Sequence, residues 1–366
     1  MDAVDARHRA AVAAAWLAYG DQRAIAEVDE QSAMVSTNRV YRLTLDDGEP
    51  VFAKSSNYGS FFLFAEDHER LHRVTELLHD GPFGGLLAES LTVPDGRGRK
   101  PFIWYDGETW VVFYREIELR SRLPARLSDD QVVQLGAELA RFHKACDGIS
   151  RLIPPSSKTA KSDAVNLYES LGAPNASHQF GLEPSRIALV RRHAHRFLMA
   201  IHDSGYDYWN KIPVLIDWNL GNFSVDFPPG PDGTPDTDSA EFRLFSRWDY
   251  DWFRIESRLL DFYFLSRVSS TTGDRTHFTY GAHTLLEPRF VAFLQAYHDV
   301  FPLSAAEVLF LKEAYRFFLL NYVVREGQHF FRDVFWQHLL HDTVDMHLPA
   351  LDDLDLTPLV RALGLG

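Results

Sequence analysis

Residues 215–223 read LIDWNLGNF, and this stretch decides how the rest of the chain is interpreted. Asp217 and Asn222 stand five residues apart in it, between an apolar run that predicts a strand and a second apolar run that begins at Phe223. Asp and Asn are also ordinary turn residues, because their side chains bond the nearby backbone. The apolar runs on both sides favour a functional loop over a simple turn.

A second acidic cluster, Asp249 and Asp251, lies downstream in the sequence WDYD of residues 248–251. The segment 227–240, between the loop and this cluster, is rich in Pro, Gly and Asp and is flanked by apolar runs. That pattern predicts a β-hairpin. The loop and the hairpin would then present the carboxylate and amide oxygens together.

The chain upstream of the loop predicts a small antiparallel sheet with one helix. Residues 24–53 alternate as strands around the turn D-D-G-E, and the last of these strands ends at Lys54. A helix is expected at about 64–79, since its apolar residues recur at helical spacing. Two further short strands, 102–105 and 110–114, flank Asp-Gly, which is a strong hairpin signal.

Beyond this sheet the pattern is mainly helical. Ser128 is a candidate N-cap, and helices are expected at about 184–203 and through most of 253–345. Residues 147–180 are rich in Ser, Pro, Asn and Gly and are interpreted as a loop or insertion.

The fold class predicted is therefore α+β. We expect a two-lobed chain, with a small N-terminal sheet lobe at residues 1–117 and a larger helical lobe at residues 118–366. A chain of 366 residues is long enough for two such lobes.

The polar residues singled out form the set that phosphoryl transfer requires. Hard Mg²⁺ prefers oxygen ligands, which Asn and Asp side chains supply. One carboxylate must accept the proton of the attacking hydroxyl, and a lysine can neutralise the phosphates that are not transferred. Asp217, Asn222, Asp249 and Lys54 provide these groups.

The ordered set of motifs resembles the aminoglycoside phosphotransferase and choline kinase superfamily, which has a protein-kinase-like fold. Residues 215–222 resemble its catalytic loop, H-G-D-x-x-x-x-N, and residues 248–251 resemble its metal strand, I-D-F-D or I-D-W-D. Three further matches are R-L-L-D at 258–261, N-R-V-Y-R-L at 38–43 and A-R-F-H at 140–143. The resemblance spans about residues 30–330 and implies a kinase that transfers the γ-phosphate of ATP to a hydroxyl of a small molecule.

The resemblance implies roles for the acidic residues and for the amide. Asp217 would be the catalytic base or the group that orients the hydroxyl, and Asn222 and Asp249 would hold Mg²⁺. Asp251 is a further candidate for the metal site, and Asp261 would support the catalytic loop from the core of the large lobe.

The resemblance also implies a nucleotide site in the small lobe. Lys54 would contact the α- and β-phosphates and pair with Glu69, or with Glu66 three residues earlier. The segment that contains Ser36 and Asn38 would approach the phosphates. The backbone of Arg115, Glu116 and Ile117 would form the hinge that meets the adenine edge.

Two features depart from the family pattern. Leu215 and Ile216 replace the histidine and glycine that precede the catalytic aspartate, which puts the hydrogen bonds that support the loop in doubt. The candidate phosphate-binding segment, residues 32–38, contains no glycine.

Composition limits the partners and the compartment. The formal net charge of −14 disfavours nucleic acid and anionic membranes, and it would suit a cationic substrate as well as simple solubility. The single cysteine, Cys146, permits no internal disulfide, and a cytoplasmic location fits. No stretch predicts a signal peptide or a membrane span, and the oligomeric state stays open.

Several alternatives stay open at this point. The acceptor would be a sugar, an amino sugar, an aminoglycoside-like compound or an amino alcohol. A protein kinase of the same fold is disfavoured, because no Ala-Pro-Glu-like segment follows Asp249. A nucleotide-binding pseudokinase is the remaining reading, motivated by Leu215 and Ile216. The spacing of the histidine pairs His68/His72 and His193/His195 permits metal binding, but a helix-face role is favoured.

Overall fold

The computed structural model describes residues 3–32, 37–96, 98–274, 281–331 and 333–366. The chain divides into two units, Met1–Glu118 and Leu119–Gly366.

A five-stranded antiparallel sheet forms the centre of the first unit. In chain order the elements are α1 Ala3–Tyr19, β1 Ile25–Glu30, β2 Arg39–Leu45, β3 Pro50–Ser56, α2 Phe61–Leu78, β4 Thr92–Asp95, β5 Gly98–Pro101, β6 Ile103–Tyr105 and β7 Trp110–Arg115. The strand order is β1-β2-β3-β7-β6, and β4 and β5 form a separate two-stranded ribbon.

The two faces of this sheet carry different residues because successive side chains of a strand alternate between faces. Tyr41, Ala53 and Phe113 lie opposite one another across β2, β3 and β7 and form a core with α1. The ring centroids of Trp16 on α1 and Phe113 lie 5.2 Å apart in an edge-to-face contact. Lys54 belongs to the opposite face.

Helices dominate the second unit. The elements are α3 Asp129–Ile149, α4 Ala160–Ser170, α5 Ala176–Phe180, α6 Pro184–Ser204, β8 Ile212–Val214, β9 Phe223–Asp226, β10 Arg243–Arg247, β11 Arg254–Glu256, α7 Phe262–Val268, α8 Pro288–Val300, α9 Ala305–Phe318, α10 Gly327–Phe330, α11 Asp333–Asp342, α12 Leu348–Ala350 and α13 Thr357–Ala362. A π-helical segment, Leu319–Arg325, continues α9, and a second one, Thr343–His347, continues α11.

Two short antiparallel ribbons carry the candidate loop residues. β9 pairs with β10 in the hairpin expected around 227–240, and β8 pairs with β11. The segment 215–222 connects β8 to β9, and the segment 248–253 connects β10 to β11. The topology therefore brings the two acidic segments to neighbouring ends of paired strands.

Helix signals in the sequence were read correctly at some places and missed at others. Ser128 caps α3 in a capping box with Gln131, as its sequence position predicts. The interpretation of 147–180 as a loop is wrong, because α4 and α5 lie within it. Thr159 caps α4 through Ser162, so the polar residues taken as a loop signal serve as a helix start. In the described part of the chain, no helix has the length and apolar character needed to span a bilayer.

Candidate active site

The backbone of the loop 215–222 adopts an unusual conformation at Ile216. Its φ is 61°, a left-handed value that β-branched residues rarely adopt. The Asp217 amide donates to the Leu215 carbonyl at 2.7 Å, and the Trp218 amide donates to the Ile216 carbonyl at 2.9 Å. Glycine adopts such a φ without a steric penalty, so the backbone here has a conformation that suits glycine although the residue is isoleucine.

A chain of buried polar groups holds this conformation. The Ile216 amide donates to Asp261 Oδ1 at 2.6 Å. The other oxygen of Asp261 lies 2.8 Å from His143 Nε2, and His143 Nδ1 lies 2.8 Å from the Tyr297 hydroxyl. Asp261, His143 and Tyr297 are fully buried. Asp261 therefore supports the loop directly, which answers the doubt raised by the missing family histidine.

Arg247, at the end of β10, connects both ends of the loop. Its guanidinium donates to the Asp217 carbonyl at 2.6 Å and to the Asn222 carbonyl at 3.1 Å. The side chain is fully buried, and its guanidinium lies 5.6 Å from the centroid of the Trp218 ring. Arg247 thereby fixes the spacing between the two candidate functional residues.

The Asp217 carboxylate is half-buried at the centre of the loop. Asn219 Nδ2 donates to Asp217 Oδ1 at 2.5 Å, and the Asn219 amide donates to the same oxygen at 3.3 Å. Burial raises the pKa of Asp217, and the charge of Arg247 and the hydrogen bond from Asn219 offset only part of this rise. A carboxylate with a raised pKa in a polar loop is suited to accept a proton.

Asn222 and Asp249 come together through the backbone of β9 and β10. The Trp248 amide donates to the Asn222 carbonyl at 3.0 Å, which places Asp249 one residue beyond that bond. Asp249 is exposed and has a φ of 65°, and the Asp251 amide donates to its Oδ1 at 3.4 Å. The segment 248–251 is therefore a tight turn that presents the Asp249 carboxylate.

The donor set at this turn fits a hard cation. Asn222 Nδ2 donates to the Asp217 carbonyl at 3.4 Å, so the amide oxygen is the end directed away from that bond. The described residues contain no group of three His, Cys, Asp or Glu side chains arranged for a metal. Asn222 and Asp249 supply an amide oxygen and a carboxylate, which are the kinds of oxygen ligand that Mg²⁺ prefers.

Lys54 lies on the face of the first unit's sheet that α2 covers. It is buried and stands directly opposite Val112 of β7. On the same face, Phe64 of α2 lies 5.8 Å from Trp110, and His68 lies 6.1 Å from Tyr114, both measured between ring centroids. Since Val112 is midway between Trp110 and Tyr114, the turn of α2 between residues 64 and 68 lies on the same face of the sheet as Lys54, beside its neighbour Val112.

Among Glu66, Asp67 and Glu69 of α2, Asp67 lies nearest the buried face of the helix. The buried residues of α2 are His68, Leu71, Val74 and Leu78. At 100° per residue, Asp67 lies about 35° from the centre of that face, Glu66 about 135° and Glu69 about 165°. Glu69 is exposed, and Glu66 lies 3.3 Å from Arg70. Asp67 is therefore nearer the buried face of α2 than either of the two glutamates that the sequence suggested.

The remaining candidates for the nucleotide site differ in burial, and one of them lies outside the described residues. Asn38 is buried immediately before β2, whereas Ser36 lies outside the described residues. At the end of β7, the Arg115 amide donates to the Glu89 carbonyl at 2.8 Å, and the Glu116 carboxylate accepts from Arg42 at 3.2 Å. Arg115 and Glu116 are exposed and Ile117 is half-buried.

No family model and no curated protein matches the chain. Solved structures do match over nearly its whole length. One is the amicoumacin kinase hAmiN in complex with AMP-PNP, Ca²⁺ and Ami, at 13% identity and a TM-score of 0.63, covering 97% of this chain and 98% of that one. Another is the microcompartment-associated aminopropanol kinase, at 14% identity and a TM-score of 0.55, covering 96% and 98%.

A third match is a macrolide 2′-phosphotransferase of type I, at 14% identity and a TM-score of 0.50, covering 94% of this chain and 97% of that one. At these identities the similarity establishes the fold. The chain has the protein-kinase-like α+β fold of small-molecule phosphotransferases. The α+β fold class expected from the motifs is confirmed.

Two functional candidates escaped the sequence interpretation. Asp67 was overlooked because Glu66 and Glu69 look equally plausible in a list of acids, although the apolar spacing Phe64–Leu71–Val74 already marked Asp67 as facing the sheet. Arg247 ends an apolar strand and carries no local signal, since its partners are carbonyl groups 25 and 30 residues earlier.

Proposed function

We propose that this protein is an ATP- and Mg²⁺-dependent kinase that phosphorylates a hydroxyl group of a small molecule. The observation that carries the proposal is the buried Arg247 side chain, which bonds the backbone of both Asp217 and Asn222. Asp249 follows one residue after the Trp248–Asn222 hydrogen bond, and the fold is one that small-molecule phosphotransferases share. Each residue is of the type that phosphoryl transfer needs.

Asp217 is the proposed base. The acceptor hydroxyl gives its proton to the Asp217 carboxylate while its oxygen bonds to the γ-phosphorus. The bond between that phosphorus and the β–γ bridging oxygen breaks, which leaves ADP and the phosphorylated acceptor. The raised pKa of Asp217 favours this proton transfer, because a base works best when its pKa approaches the working pH.

Asn222 and Asp249 are the proposed ligands of Mg²⁺, and Asp251 is a further candidate beside them. When bound, the ion neutralises charge on the phosphate oxygens. The contribution of the chain is to hold an amide oxygen and a carboxylate at the ends of β9 and β10 in fixed positions. The Trp248–Asn222 hydrogen bond and the two bonds from Arg247 do this.

Lys54 is the proposed partner of the α- and β-phosphates in the first unit. A lysine buried in a sheet needs an acid to hold its ammonium group in place, and we assign that role to Asp67 in place of Glu69 or Glu66. Asn38, Ser36 and the backbone of 115–117 complete the proposed nucleotide contacts.

The acceptor is proposed to be a small polyhydroxyl or amino compound: a sugar, an amino sugar, an aminoglycoside-like compound or an amino alcohol. The similar structures support this range, since they include kinases named for amicoumacin and for aminopropanol. The acidic charge of −14 is compatible with amino-bearing acceptors.

The test is incubation of the protein with ATP, Mg²⁺ and a panel of such acceptors, with mass spectrometry of each acceptor. The expected result is the mass of one added phosphate on at least one acceptor, lost when EDTA replaces Mg²⁺. Stabilisation by nucleotide in a thermal-shift assay without any phosphorylated product would instead support a nucleotide-binding pseudokinase. Transfer to a generic protein substrate would support a protein kinase.

A further inference from the structure

Asn219 lies between the proposed base and a second buried network. Its Nδ2 donates to Asp217 Oδ1 at 2.5 Å, and its Oδ1 accepts from the Arg267 guanidinium at 3.3 Å. Arg267 offers only donors and an ionised carboxylate offers only acceptors. The two neighbours therefore permit one orientation of the Asn219 amide, with its nitrogen towards Asp217.

Arg267 is itself held in place by a carboxylate that also contacts the loop. Arg267, on α7, is buried and donates to Asp274 Oδ1 at 3.1 Å. Asp274 Oδ2 accepts from the Leu220 amide at 2.6 Å. The contacts thus run from Asp274 to Arg267, from Arg267 to Asn219 and from Asn219 to Asp217. Asp274 also binds the backbone of Leu220, the residue that follows Asn219. The network thus fixes both the side chain of Asn219 and the backbone beside it.

From this geometry we infer that Asn219 is a positioning residue for phosphoryl transfer, a role that rests on the function proposed above. Two donors of Asn219, its side-chain nitrogen and its amide, occupy Asp217 Oδ1. The carboxylate is thereby held in one rotamer in which Oδ2 is the oxygen that accepts the proton of the acceptor hydroxyl. Without the side-chain donor the carboxylate is free to turn, and fewer molecules present Oδ2 correctly.

A purely structural role for Asn219 makes the opposite prediction for one substitution. In Asn219→Asp the side chain keeps its shape, and its carboxylate pairs better with Arg267 than an amide does. If Asn219 served only to hold Arg267 and the loop, Asn219→Asp would work better than Asn219→Ala. If Asn219 positions Asp217, Asn219→Asp is the worse variant, because it removes the donor and puts a second carboxylate against Asp217.

The kinetic test compares both variants with wild type at pH 8, using the acceptor found by the panel. We expect kcat to fall about 10- to 100-fold in Asn219→Ala, the range for losing a hydrogen bond to a charged group. In Asn219→Asp we expect a further fall of about tenfold. The KM for ATP should change less than about twofold in both, since Asn219 acts through the base and not through nucleotide binding.

Matched controls are Asn175→Ala and Asn175→Asp, at an exposed asparagine of the same unit whose side chain makes no cap hydrogen bond. Both should keep wild-type kcat. The inference is overturned if kcat for Asn219→Asp equals or exceeds that of Asn219→Ala. It is also overturned if the KM for ATP rises by as large a factor as kcat falls.

A second readout does not depend on finding the acceptor. Crystal structures of wild type and Asn219→Ala should differ in the orientation of the Asp217 carboxylate, with Arg267 and Asp274 in place. An Asp217 side chain that superposes in the two structures overturns the positioning role, even if the wild type phosphorylates an acceptor. Failure of the wild type on every acceptor, with the Asp217 rotation observed, overturns the proposed function and with it a role in phosphoryl transfer. The rotation would then show only that Asn219 sets the Asp217 rotamer.

Discussion

Two regions of the molecule hold proposed functional residues, and they do so in different ways. The loop 215–222 has only one short 3₁₀ turn, Leu220–Asn222, and its shape depends on polar groups of Asp261, Arg247 and Asp274. Lys54, in contrast, lies within a strand paired on both sides, on a sheet packed by apolar side chains. The position of a side chain in a sheet is fixed by the hydrogen bonds between strands and by core packing. In a loop, the backbone groups at each turn need hydrogen-bond partners of their own.

The two regions should therefore respond differently to substitution. A buried donor or acceptor that loses its partner costs about 1–3 kcal/mol. A residue in the sheet keeps its backbone position through the hydrogen bonds to both neighbouring strands. Loss of one polar group should therefore disturb the loop strongly, while changes around Lys54 should alter function with little effect on folding.

Removal of the Asp261 carboxylate should have the largest effect on stability. In Asp261→Ala the Ile216 amide and His143 lose their buried partner, at a cost of about 2–5 kcal/mol in the free energy of unfolding. Urea denaturation measures this value. Asp261→Asn is the matched control, since its amide oxygen can still accept from Ile216, and it should lose about 1–2 kcal/mol. A loss below 1 kcal/mol in Asp261→Ala would remove the contrast between loop and sheet.

Changes on α2 should affect nucleotide use without unfolding the protein. Asp67→Asn is expected to lower kcat/KM for ATP about tenfold, equivalent to about 1.4 kcal/mol, because Lys54 loses the acid that orients it. Glu69→Gln, at the exposed side of the same helix, should stay within about twofold of wild type. If Glu69→Gln lowered kcat/KM for ATP more than Asp67→Asn did, Glu69 would be the acid that orients Lys54.

The smallest expected effect is the difference in unfolding free energy between two variants of Ile216. Ile216→Gly and Ile216→Ala both lose a buried side chain. Because φ is 61°, the glycine variant should be the more stable of the two by about 1 kcal/mol. At an ordinary helix position alanine is the better residue, so the sign of the difference in unfolding free energy reports the left-handed backbone directly.

Sequence patterns sufficed for the sheet and for the order of the motifs. Alternating strands, the turn at D-D-G-E and the N-cap at Ser128 are local signals, and the structure has these elements. The fold class is confirmed because the motifs occur in order along a chain whose two halves differ in periodicity. Local signals failed at 147–180, where Ser and Thr residues that look like a loop cap a helix.

The supports of the loop lie beyond local signals. Ile216 keeps a glycine-like backbone because Asp261, 45 residues away, accepts its amide hydrogen. Arg247 and Arg267 act on the loop from a strand and a helix that follow it. Such contacts depend on tertiary structure. The resemblance suggested Asp261 as a support of the loop, whereas no local signal pointed to Arg247 or Arg267.

The most direct test of the proposed activity is a comparison of wild type with Asp217→Asn for ATP binding and for transfer of the γ-phosphate. The account predicts that Asp217→Asn binds ATP as tightly as wild type does and that its kcat falls by about 10²- to 10⁴-fold, the usual contribution of a general base. Phosphorylation of the acceptor at the wild-type rate by Asp217→Asn would contradict it.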